Sequence, residues 1–134
     1  GRYMLGLTGI ARFKVVAERE SSTAYRQCAV DFTPFAGDFA TQAGDEASVD
    51  RDGLLKTLRD YLDTRDLEAD WDGIHRAPTE LLVNALCMMS PWGVKEKQAL
   101  LEAPDLKTRA ALLVAVAEMA LAQDAPSEAK PALN

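Results

Sequence analysis

The feature that most constrains this chain is a change of hydrophobic period partway along it. Up to residue 35 the apolar side chains alternate, with Tyr3, Leu5 and Leu7 on one face, then Phe13 and Val15, then Cys28, Val30 and Phe32. That is the two-residue repeat of half-buried strands. From residue 50 the repeat becomes helical, with Leu54, Leu55, Leu58, Tyr61 and Leu62 on one stripe. The switch predicts an α+β fold in which a strand lobe precedes a helical lobe.

The first lobe reads as three strands, with the polar run Glu18 to Thr23 as a hairpin connection. Three strands without a helix leave one sheet face uncovered. The missing cover is therefore expected from strands upstream of Gly1 or from another copy of the chain. Because Tyr3-Met4-Leu5-Gly6-Leu7 already reads as strand, the chain is expected to begin partway through a domain.

Charge marks the same division. Residues 1–35 sum to +2, residues 36–72 to −7 and residues 73–134 to −1. The step falls at a stretch from Thr33 to Ser48 that contains Pro and Gly, which reads as a loop. The predicted organisation is a partial β lobe over 1–35, a linker loop over 36–49, a helical lobe over 50–123 and a frayed tail over 124–134.

In the helical lobe Asp50 or Asp52 is placed to cap the first helix, and Trp71 and Ile74 suggest a short helical turn. Pro78 suits a first helical position; Leu81, Leu82, Ala85, Leu86 and Met89 then form a predicted buried stripe that stops before Pro91. A third helix is expected from about Val94 to Ala103. A fourth, capped by Asp105, carries Leu106, Ala110, Leu113, Ala117 and Leu121. Four helices with short connections predict an antiparallel bundle.

The sequence offers little to chemistry. The net charge of −6 has the wrong sign for a phosphate backbone, so nucleic acid is not an expected partner. No apolar run is long enough for a membrane span. Cys28 and Cys87, with His75 as the single histidine, are too few for a structural zinc site, and both thiols are expected to sit as small hydrophobes. His75 is expected at a solvated helix end. Asp50-Arg51-Asp52-Gly53 and Asp70-Trp71-Asp72-Gly73 echo a calcium loop; the second is the better candidate, but its twelfth place, which needs a bidentate glutamate, falls on Thr79. Both strings read instead as helix starts. Neither a glycine-rich phosphate loop nor a nucleophile elbow occurs, so no catalytic residue, cofactor or metal is expected.

What remains is apolar surface outside the helical stripes: Phe35 and Phe39 in the loop, Trp71, and Trp92 beside Met88 and Met89. Such side chains either plug the core or form a binding surface. Aromatic and methionine side chains provide adaptable contact area suited to varied extended polypeptide.

The order of parts carries a resemblance. Ser90-Pro91-Trp92-Gly93 is followed by Glu96-Lys97-Gln98-Ala99-Leu100-Leu101-Glu102 and Asp105-Leu106-Lys107-Thr108-Arg109, while Leu7-Thr8-Gly9 is followed by Arg12-Phe13. The chain thereby resembles the substrate-binding (N-terminal) domain of the Lon protease family, including the stand-alone bacterial proteins built of that domain alone. The resemblance implies the last strands of a PUA-like β pseudo-barrel followed by the helical lobe. Family members open with further strands and a proline-rich segment that this chain does not contain. The family's ATPase and serine–lysine peptidase motifs are not found in it either. The resemblance implies a non-catalytic module related to proteolysis that binds unfolded or degradation-marked polypeptides, for which the apolar residues Phe35, Phe39, Trp71, Trp92, Met88 and Met89 are the candidates. Two cysteines without a disulfide framework predict a cytoplasmic protein, and the alternatives are an assembly scaffold or a metal-dependent hydrolase using His75 with Asp70 and Asp72. The module's implied partners are a protease or, through unpaired strands, a second copy.

Overall fold

A computed structural model of the chain describes residues 2–39 and 46–124. They fall into two compact units, one within residues 1–43 and one within 44–134. The fold is α+β and mostly helical, with one small antiparallel sheet.

The first unit is a hairpin. Strand β1 (Lys14–Arg19) pairs antiparallel with β2 (Gln27–Asp31), in a register that sets Lys14 opposite Asp31 and Arg19 opposite Gln27. The register shifts between Val15 and Ala17, so β1 carries one extra residue there. Near the connection, Arg26 grips Glu18 with two hydrogen bonds of 2.7 and 2.8 Å, and the bond from Arg26 holds the Glu18 carboxyl below its ordinary pKa.

Among the described residues two strands form where three were expected. Residues 3–7 belong to no strand, because no described segment lies alongside to exchange backbone hydrogen bonds with them. None of the described residues of this unit is buried, as expected of a ribbon too small to cover its own faces. Cys28, expected as a small hydrophobe in the sheet, is accordingly exposed.

In the predicted loop after β2, 3-10 turns form over Thr33–Phe39 and Glu46–Ser48, and residues 40–45 of the linker lie outside the described residues. Arg12 fixes the first turn. Its backbone N–H and Nε both donate to Asp38 Oδ2 at 2.8 Å, Nη2 donates to Oδ1 at 2.7 Å, and the guanidinium lies 4.5 Å from the Phe35 ring centroid.

Among the described residues the helical unit has five helices: α1 (Arg51–Thr64), α2 (Trp71–Arg76), α3 (Thr79–Met89), α4 (Val94–Glu102) and α5 (Leu106–Asp124). Of the predicted tail, only Asp124 is described, and it closes α5. Asp50 and Asp70 cap α1 and α2, each accepting at 2.9 Å from the N–H of the glycine three residues on. Gly53 and Gly73 allow this approach, since a Cβ at either would collide with the capping carboxylate. Asp105 caps α5 through the Thr108 N–H at 2.7 Å, and this bond holds its carboxyl below the ordinary range.

Helix α1 ends in a reversal at Asp66, whose φ of 53° is left-handed. The N–H of Leu67 returns to the Leu62 carbonyl and that of Asp66 to the Asp63 carbonyl, the paired bonds of a Schellman ending.

Helix α5 is the centre of the unit, packing against α1, α3 and α4. Its buried Leu106, Ala110 and Leu113 join Leu54, Leu82, Val83 and Leu100 in one core. Leu82 of the predicted α3 stripe is buried, but Leu81 and Met89 are exposed and Val83 is fully buried instead. The helix is apolar on several sides, and its inward face runs through Thr79, Leu82 and Val83, displaced from the predicted one.

Candidate binding surface

The end of α3 sets the geometry of this region. Ser90 adopts an extended conformation ahead of Pro91, as the proline ring requires of its predecessor, and the helix stops. The chain then turns through Trp92 and Gly93 into α4. Trp92 is drawn back over α1, with its ring centroid 5.3 Å from that of Tyr61, and packs against the helical core. Met88 and Met89 stay outside, 71% and 83% exposed, and Val94, which opens α4, is 87% exposed. Lys97 ties the two helices together by donating to the Met88 carbonyl at 3.3 Å.

The other singled-out aromatics have separate settings. Phe35 is half-buried beneath Arg12. Phe39 is 57% exposed and ends an edge-to-face row, 5.6 Å from Phe32, which lies 5.7 Å from Phe13. Phe13 and Phe32, strand residues by their sequence alternation, complete this row through tertiary contact. Trp71, half-buried, lies 4.4 Å from the Arg59 guanidinium. The residues selected from sequence therefore occupy distinct places. Phe35 and Phe39 belong to the hairpin unit, and Trp71, Met88, Met89 and Trp92 to the helical unit.

Tyr61, absent from the selected residues, is held between Trp92 and the Arg65 guanidinium, which lies 4.4 Å from its ring centroid. Arg65 is itself paired with Asp124 at 2.8 Å. The Tyr61 hydroxyl and Trp92 Nε1 are buried and have no hydrogen-bond partner among the described residues. An unmet buried polar group costs roughly 1–3 kcal/mol, so this corner is held at some expense to stability.

Groups suited to acid–base, nucleophilic or metal chemistry are dispersed. His75 is exposed in the last turn of α2, where Nδ1 donates to the Trp71 carbonyl at 2.6 Å. Cys87 is half-buried, and burial pushes its thiol pKa up against the opposing effect of Arg109. Among the described residues no three His, Cys, Asp or Glu side chains gather as a metal site, and no helix is long and apolar enough to cross a membrane.

The architecture defines a helical module with an appended strand hairpin. A family model, the ATP-dependent protease La (LON) substrate-binding domain, matches residues 1–116. The chain belongs to this family, whose domain is a non-catalytic module. Searches of curated proteins and of solved structures found no match.

Proposed function

We propose that the chain recognises exposed apolar segments of unfolded or degradation-marked polypeptides, with Met88 and Met89 at the centre of the contact and Val94 at its edge. The observation that carries this reading is the exposure of two adjacent methionines at the end of α3, in a member of a substrate-binding family. Methionine side chains are unbranched and polarisable, so they adapt to varied apolar partners. Phe39, with Phe13 and Phe32, supplies a second contact in the hairpin unit, while Trp92 and Trp71 support the surface from within. The excess of acidic groups in residues 36–72 disfavours acidic segments. The mechanism is capture, without bond-making or bond-breaking.

Fluorescence anisotropy with a labelled, carboxymethylated model protein, which cannot refold, tests the reading. Saturable binding is expected, with an affinity at least tenfold weaker in a Met88→Asp plus Met89→Asp variant and a further loss on Phe39→Ser. Equal binding by the native chain and the double variant would remove the methionines from the contact.

A second reading, self-assembly, is favoured by the exposed Val15 and Val16 of β1. Unfolding midpoints that rise with protein concentration would support it, and a monomer by light scattering at all concentrations would refute it.

A further inference from the structure

Both residues placed at the centre of the proposed contact are methionines, and a thioether is an apolar group that a mild oxidant turns polar and a reductase turns back. Met88 and Met89 close α3, are largely exposed and take no part in the core around α5. Successive helical positions lie about 100° apart, so the two side chains cover neighbouring sides of one turn.

Their position decides what oxidation does. A sulfoxide inside a packed core is a buried polar group and disrupts the fold. At the exposed end of α3 each sulfoxide oxygen stays in water, so the helical unit keeps its packing. The cost falls on binding instead: an apolar segment laid over the two oxygens strips their water and returns no hydrogen bond.

We infer that Met88 and Met89 form a reversible oxidation switch on capture, oxidised by a peroxide and reset by thiol-dependent sulfoxide reduction. The inference rests on the polypeptide-recognition reading and adds regulation to the same surface. In the forward step the thioether sulfur attacks one peroxide oxygen, forming an S–O bond as the O–O bond breaks. The proton of the transferred oxygen leaves with the departing hydroxide as water; sulfur is oxidised by two electrons and the peroxide is reduced. In the reverse step a dithiol gives up two electrons and two protons, the oxygen leaves as water, and a disulfide remains.

The test uses the full chain carrying Met4→Leu, Met119→Leu and Cys28→Ser. These changes leave Met88 and Met89 as the only largely exposed sulfur side chains among the described residues. Hydrogen peroxide is applied and then removed by catalase before labelled carboxymethylated protein is added, and peptide mass spectrometry follows both sulfoxides. Affinity is expected to fall about tenfold as sulfoxide accumulates at Met88 and Met89, with the urea midpoint unchanged. Methionine sulfoxide reductases acting on both epimers, with a dithiol, are expected to restore it. Unchanged affinity in the fully oxidised chain, or a fall that reduction does not reverse, would overturn the switch while capture stands. A urea midpoint that falls together with binding would overturn it too, because unfolding would then be the cause. If the unoxidised chain does not bind carboxymethylated protein, polypeptide capture fails and the switch fails with it.

Discussion

Arg51 Nη2 donates to the carbonyl oxygen of Ala77 at 2.9 Å, joining the first turn of α1 to the residue that terminates α2. The same nitrogen reaches the carbonyls of Ile74 at 2.9 Å and His75 at 3.2 Å, while Nη1 donates to Thr79 Oγ1 at 2.9 Å. One planar guanidinium thus serves the orphan carbonyls at the end of α2 and the first residue of α3. Arg51→Ala is expected to cost about 2–3 kcal/mol, on the scale of charged hydrogen bonds. Arg51→Lys should recover only part of this, because an ammonium cannot reproduce the fork. Urea unfolding curves would measure both.

The left-handed Asp66 gives a prediction of the opposite sign. A non-glycine residue in that region carries strain of about 1 kcal/mol, which glycine does not. With both reversal bonds retained, Asp66→Gly should raise stability by up to about 1 kcal/mol, seen as a higher urea midpoint at unchanged slope.

Leu100 and Leu101 are chain neighbours, 1% and 53% exposed. Leu100→Ala should cost about 2–5 kcal/mol through lost burial and the cavity left behind. Leu101→Ser should stay within about 0.5 kcal/mol. Similar losses at both positions would contradict the orientation of α4.

Acid should weaken the cap of α5. The Thr108 N–H lowers the folded-state pKa of Asp105 below its unfolded value, so the stabilisation is complete above the unfolded value of about 3.9 and is lost as the pH falls through the folded one. Unfolding curves between pH 2 and 6 should show Asp105→Asn losing this component of the acid dependence while an amide oxygen still caps the helix.

The two thiols should react at different rates. Exposed Cys28 should take up iodoacetamide readily, whereas half-buried Cys87, its pKa raised by burial, should react slowly until urea opens the helical unit. Mass spectrometry of a Cys28→Ser variant would isolate the slow site.

Much of the helical unit was legible because its punctuation is local. Asp50, Asp70 and Asp105 start helices by chemistry contained within four residues, and Pro91 and Pro104 limit how far a helix can run. The inward face of α3 was harder to read, since the consecutive apolar residues Leu81, Leu82 and Val83 leave its phase open until α5 packs against it. Residues 3–7 have strand composition, but a strand exists only with a partner, and composition cannot supply one. The Tyr61–Trp92 contact joins residues thirty-one positions apart through tertiary packing, so no local pattern announced it. Met88 and Met89 were named from residue type, whereas their exposure depended on where α3 turned its face.

The central place of α5 governs when the helical unit can fold during synthesis. Its first four helices leave the ribosome before the element that organises their shared core, so Leu54, Leu82, Val83 and Leu100 have no lasting shelter while the nascent chain is being extended. This order makes collapse of the unit a late event, concentrated in the interval when Leu106 to Ala117 emerges from the exit tunnel.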